Sequence, residues 1–182
     1  IPMATQVVDT DERKTPGTGI WLPTSTVLFP TMVANPRQIS FSVGQRFRDT
    51  VGTQRASAVS FGDQLPMYRW CNMWKWHGDL QLELEGGVFA LFNHTRPSSP
   101  LLNADYYVGI PLSYAVGPYA FRLRLYHISS HLGDELKSVH RHVHRRNKSF
   151  EAIDFFSSYF ITNQIRVYGG LGIICHSDSE MR

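Results

Sequence analysis

The sequence predicts an all-β protein, an antiparallel meander of about seven strands behind an extended, proline-rich leader. Three observations predict it. Apolar and polar residues alternate with a period of two along most of the chain after residue 38. The links between these runs are short and long by turns. Aromatic residues reach 13% of the chain against only 18% charged residues, a balance that suits sheets and interfaces rather than disorder.

Residues 1–38 form the leader. Pro2, Pro16, Pro23, Pro30 and Pro36 interrupt it, with Gly17 and Gly19, so little regular structure is expected there. Trp21, Leu22, Leu28 and Phe29 are its apolar anchors. Strands are expected over 39–48, 58–73, 80–92, 104–114, 119–131, 151–160 and 165–176. In the first, Ile39, Phe41, Val43 and Phe47 take one face and Ser40, Ser42, Gly44, Arg46 and Arg48 the other. The second is weaker, because Asp63-Gln64-Leu65-Pro66 interrupts it. In the third, Leu82 and Leu84 oppose Gln81, Glu83 and Glu85, and Gly86-Gly87 permits a bulge. In the fourth, Tyr106, Val108, Ile110 and Leu112 oppose Asp105, Gly109 and Ser113. In the fifth, Phe121, Leu123 and Leu125 oppose Arg122 and Arg124. In the last, Val167, Leu171 and Ile173 oppose Arg166 and Tyr168.

A soluble sandwich exposes the charged face of such strands to water. A barrel in a bacterial outer membrane turns it into a polar lumen, where Arg46, Glu83, Glu85, Asp105, Arg122, Arg124 and Arg166 can pair. The links near 75–79, 115–118 and 161–164 are short, and those near 49–57, 93–103 and 132–150 are longer. Tight turns at one end and longer loops at the other match the periplasmic and outer ends of such barrels. They place the 1–38 leader in the periplasm and strands 39–182 in the membrane. Trp70, Trp74 and Trp76 fall at the periplasmic interface. An odd strand number and a last strand without a terminal aromatic suggest the N-terminal portion of a longer barrel. No run of 18 apolar residues occurs, which excludes a transmembrane helix. Cys71 and Cys175 are too few for a disulfide framework, and no zinc spacing is present.

The segment 119–151 carries the chemistry. Residues i and i+2 on a strand share a face, so His127 and Ser129 are neighbours. A serine nucleophile needs such a base, and Glu151 on the next strand is placed to orient the imidazole. By parity His127, Ser129 and His131 lie with Phe121, Leu123 and Leu125 on the lipid side, where polar residues are costly. The plainer reading is that they stand at the rim, among headgroups and water. A basic loop follows, with Lys137, His140, Arg141, His142, His144, Arg145, Arg146 and Lys148. Arg141, Arg145, Arg146 and Lys148 suit lipid phosphates, and the run is too short and local for nucleic acid. No metal site is expected. The three alternating histidines are crowded by cations, although Asp134 and Glu135 allow calcium.

From about Trp21 to Gly172 the chain resembles a bacterial family known only as a domain of unknown function and grouped with outer-membrane barrels. The resemblance rests on 84–92 (Leu84 to Phe92), 102–106 (Leu102 to Tyr106), 122–127 (Arg122 to His127), 129–135 (Ser129 to Glu135) and 166–170 (Arg166 to Gly170). More locally, His127-Ile128-Ser129 resembles the strand of outer-membrane phospholipase A and the lipid A deacylases. That likeness implies Ser129 as nucleophile, His127 as base and Glu151 as orienting residue, acting on phospholipid or lipid A at the barrel wall. Ser130-His131 stands where those enzymes carry Asn-Gly, and no oxyanion hole is visible in the sequence. The alternatives are a non-enzymatic outer-membrane pore or surface-interaction protein, and a soluble β-sheet binding module. The sheet edges also allow a homo-oligomer.

Overall fold

The structure, a computed structural model, describes residues 18–24, 28–49, 53–95, 97–133 and 148–178. Among these residues it contains eight strands and no helix: β1 (Gly19–Trp21), β2 (Ser42–Asp49), β3 (Thr53–Met73), β4 (Gly78–Asn93), β5 (Leu101–Val116), β6 (Tyr119–Leu132), β7 (Lys148–Phe160) and β8 (Arg166–Ser177). All pairings are antiparallel, in the order β1-β3-β4-β5-β6-β7-β8, with β2 also on β3. From β2 onward this is the expected meander. The extra strand, β1, pairs with residues 68–70 of β3, while β2 pairs with residues 53–60. The two therefore share one edge, end to end.

Two local expectations are corrected. Asp63–Pro66 does not interrupt β3. Pro66 pairs with Glu83, and the missing N–H is absorbed by a register shift between Pro66 and Tyr68. Gly86-Gly87 makes no bulge, because Gly62 pairs with Gly87 and Asp63 with Gly86 in unbroken register. The glycines make room instead: a Cβ on Gly87 would stand 3.1 Å from Ile39 Cδ1. The links 74–77, 117–118 and 161–165 lie at one end of the sheet, and the ends of β2 and β3, β4 and β5, and β6 and β7 meet at the other. β3 begins at Thr53, inside the expected 49–57 link.

The polarity of the sheet is inverted. Arg122 is 2% exposed, and Arg69, Gln81, Glu83, Glu85, Asp105, Ser113, Arg124 and Asp154 are likewise buried on the concave face. Leu171 is 74% exposed, and Leu84, Val108, Ile110, Leu123, Leu125, Ile153, Phe155 and Ile173 stand exposed on the convex face. Of the seven charged residues assigned to the lumen, Arg46 is exposed and Arg166 half-buried, whereas the other five are buried.

Buried charge is tolerable only when paired, and the concave face pairs it. Arg122 Nη2 lies 3.2 Å from Glu83 Oε2, and Arg124 bonds Asp154 Oδ2 at 2.5 Å and Glu85 Oε1 at 3.3 Å. Arg69 donates to Gln81, whose amide donates to Glu83. Tyr107 donates its hydroxyl to Glu85, and Gln64 its amide to Glu83. Gly109 is the gap that this requires: a Cβ there would fall 2.7 Å from Tyr107 Oη and 2.9 Å from Glu85 Oε1. Gly109→Ala is therefore expected to cost about 1–3 kcal/mol, seen as a lower melting temperature. An unchanged melting point would contradict this packing.

From residue 28 onward the leader runs across the concave face as a strap. Leu28, Phe29 and Met32 are buried, the last two against Ala120 with Phe156 and Tyr168 alongside. Arg122 donates to Phe29 O at 3.2 Å and lies 4.9 Å over the Phe29 ring. Arg166 donates to Pro30 O at 3.0 Å and also to Thr31 O, and Ala34 N donates to Tyr168 Oη at 2.8 Å. Arg37 pairs with Asp105 at 2.6 Å. Ile39 leaves the exposed row expected for it and packs with Tyr107 and Ile128. Residues 28–38 are thus built into the sheet's interior rather than standing apart from it.

Candidate functional site

The convex face changes character along β6, β7 and β8. Register puts Leu123 beside Phe155 and Leu171, then Leu125 beside Ile153 and Ile173. These rows are apolar and all exposed. The next row is His127, Glu151 and His176, and the one after it pairs Ser129 with Ser149. At the opposite end of the apolar rows Tyr119 and Tyr159 are 4.9 Å apart, and Trp74 meets Tyr114 at 4.9 Å. Trp74 and Trp76 are exposed there, while Trp70 is half-buried against Tyr68. From Tyr119 to His127 is roughly 26 Å of strand at about 3.3 Å per residue.

The side chains of the polar rows are held both across strands and along β6. Glu151 Oε1 accepts from His127 Nδ1 at 2.8 Å, and Glu151 Oε2 from His176 Nδ1 at 2.7 Å. One carboxylate therefore ties β6 to β7 and β7 to β8. Ser129 Oγ is 3.0 Å from His131 Nε2, and the His131 ring stands edge-on to Tyr106 at 5.4 Å. The base expected for Ser129 from the sequence is His127. The structure gives that place to His131, because the carboxylate directly across the ladder holds the His127 ring toward β7. Glu151 does reach His127, but what it orients is not the partner of Ser129. With its proton on Nδ1, His131 presents Nε2 as an acceptor for the serine hydroxyl.

Lys148 is exposed at the start of β7, opposite Ser130. Arg141, Arg145 and Arg146 lie outside the described residues, as do Asp134, Glu135, His140, His142 and His144. Among the described residues no group of three His, Cys, Asp or Glu side chains is placed to hold a metal ion. Cys71 is buried, Cys175 is exposed, and both are free thiols.

Sequence reasoning put His131 on the face of Ser129 without pairing the two, and it missed His176. The latter was not legible, because Glu151 faces His176 while Ala152 faces Ile174, a register shift that skips Cys175 and returns His176 to the convex side. A further serine–histidine contact lies on the link after β4. His94 Nε2 is 2.7 Å from Ser57 Oγ, and His94 Nδ1 is 2.8 Å from Ser99 Oγ. Both ring nitrogens are occupied by hydroxyls, and no carboxylate among the described residues bonds the ring.

Just past β8, Asp178 closes the edge. It accepts the Ser149 hydroxyl at 2.6 Å and the Ser149 N–H at 3.1 Å. These bonds, the hydroxyl's first, hold its carboxyl below the usual Asp range. A depressed carboxylate contributes stability that is present above the ordinary Asp value and lost as pH falls through the lowered one. Exchange of the Ser149 amide is therefore expected to speed up only below about pH 4, and to be fast at neutral pH in Asp178→Ala, which removes the acceptor. Protection that persists in that variant would contradict the contact.

A family model described as a protein of unknown function (DUF1207) matches residues 3–182. No curated protein and no solved structure matches the chain.

Proposed function

The chain belongs to this family of unknown function, and from that premise we propose that it forms wall of a bacterial outer-membrane β-barrel whose lipid-facing side hydrolyses acyl esters of membrane lipid. The observation that carries the membrane reading is the inverted sheet, with Arg122, Glu83, Arg124 and Asp154 buried and Leu123, Phe155, Leu171 and Ile173 exposed. A water-soluble sheet would place these sets the other way round, whereas a lipid-embedded wall needs this arrangement. The apolar rows, bounded by tyrosines and tryptophan at one end and the His127–Glu151–His176 row at the other, rise about 20 Å along the membrane normal at a barrel strand's tilt of about 40°, most of the ~25 Å of an outer-membrane hydrocarbon band. The strap and the closed ion pairs cover much of the described concave face. That favours a wall over an open pore.

The observation that favours the hydrolase is the 3.0 Å contact of Ser129 with His131, at the height where ester groups of lipid meet the apolar rows. In this reading Ser129 Oγ attacks the acyl carbonyl and its proton passes to His131 Nε2. His131 then returns the proton to the departing alcohol of the lysolipid. Water, deprotonated by His131, attacks the acyl-serine, and the fatty acid leaves. Glu151 holds His127 and His176 and so fixes the strands around Ser129, and Lys148 and the basic loop meet lipid phosphate. The full-length protein in detergent, given phospholipid and lipid A with and without calcium, is expected to release fatty acid. No release from either substrate under either condition would remove the hydrolase and leave a structural or surface-interaction wall.

A further inference from the structure

Between the strap and strands β2 to β5 lies a cavity of about 620 Å³. It borders the concave side near the end that carries the 94–100 and 133–147 links, and its size is that of a small-molecule site. Its walls differ from the rest of the interior. The ion pairs Glu83–Arg122 and Arg124–Asp154 lie outside it, and apart from Arg37, Arg46 and Asp105 its polar groups are neutral. Ser42 Oγ and Ser60 Oγ are 2.7 Å apart, and Ser60 also donates to Ser40 O at 2.9 Å, so the three serines form a polar row across β2 and β3. Gln38 comes from the strap and Asn103 from β5. Phe89 supplies an apolar surface among them. Asn35, also on the strap wall, has an Nδ2 with no acceptor among the described residues, the kind of buried group that calls for an explanation.

Charge narrows the class of ligand. Arg37 is committed to Asp105, which also accepts from Asn103 at 2.8 Å and from Ser130 at 2.5 Å. Arg46 likewise has a partner. The Arg37–Asp105 pair satisfies its own charges, so an anion or cation gains little beside it, while a purely apolar ligand leaves the hydroxyl and amide groups with no more than the bonds they make to one another. A neutral molecule that both donates and accepts at many points, and has one apolar face for Phe89, fits the lining. We propose that this cavity binds a neutral sugar, a mono- or disaccharide, held by Ser42, Ser60, Gln38 and Asn103 with its apolar face on Phe89. The site is independent of Ser129, which is on the opposite face of the sheet.

Gly44 provides the means to test it. It lines the cavity, and a Cβ there would meet only Ala58 O, at 3.9 Å. Gly44→Phe therefore fills the space without deleting a polar group. Gly169→Phe, at a convex position with nothing within 4 Å of the added Cβ, is the matched control. Saturation-transfer NMR would be run on full-length protein in an amine-oxide detergent, with glucose, N-acetylglucosamine and maltose as probes. At least one sugar is expected to receive saturation from wild type and from Gly169→Phe, with at least a fivefold weaker signal from Gly44→Phe in correctly folded protein. Absence of transfer to all three sugars, or equal transfer in Gly44→Phe, would overturn the proposal.

Discussion

Arg124→Ala is expected to lower the stability of the folded protein by about 3–5 kcal/mol, the cost of leaving buried charge without its partner. Arg124 is buried, and its guanidinium satisfies Asp154 through three contacts of 2.5–3.2 Å and Glu85 at 3.3 Å. It also lies 5.1 Å over Tyr126 and 5.7 Å over Phe156. Removing it leaves two carboxylates in the concave interior with no cation between them, and each must then lose its charge or admit water. Lysine does not restore the site. An ammonium group cannot address Asp154 in a fork while reaching Glu85 and lying flat on the rings. Urea unfolding in detergent reads the effect directly. A loss below about 0.5 kcal/mol, the scale of an exposed pair, would mean that this face is wet and that the sheet is not inverted.

Under the proposed hydrolysis, Ser129→Ala is expected to reduce fatty-acid release by at least about a thousandfold, since loss of the nucleophile would leave only the residual contribution of substrate positioning. His131→Ala should fall by about a hundred- to ten-thousandfold, the range for a lost general base. The double variant should be no worse than Ser129→Ala, because the two act as a unit. His127→Ala is expected to lose much less, roughly tenfold, by loosening the β6–β7 row. Ser99→Ala, which also removes a hydroxyl from a histidine contact, should change nothing. If Ser129→Ala stays active the site is a rim. If His127→Ala falls as far as Ser129→Ala while His131→Ala does not, His127 is the base after all.

The alternation of β4 to β8 made most of the sheet legible. Its two-residue period reports directly which side chains share a face, and Glu83, Glu85, Arg122 and Arg124 fall together for that reason. The leader was legible only in its anchors Leu28 and Phe29, which are buried, whereas Trp21 and Leu22, expected to dock with them, are exposed. Its prolines remove ladder hydrogen bonds and so erase the pattern that marks structure, yet Phe29, Met32 and Ile39 are held by contacts more than sixty residues away in sequence, which no local pattern encodes. At the candidate site, parity put His127, Ser129 and His131 on one face but could not choose between two histidines equally spaced about one serine. The carboxylate across the ladder made that choice. His176 was hidden by a register shift, since one extra residue moves a side chain to the other face.

The most direct test of the inverted sheet is spin-label accessibility in liposomes, on full-length protein carrying Leu123→Cys or Leu171→Cys after replacement of the exposed Cys175. Both positions are expected to be strongly relaxed by dissolved oxygen and hardly at all by a water-soluble nickel complex, as befits side chains that face hydrocarbon. Access of the nickel complex to both positions would contradict a lipid-facing wall, and with it the membrane reading of every row on the convex face.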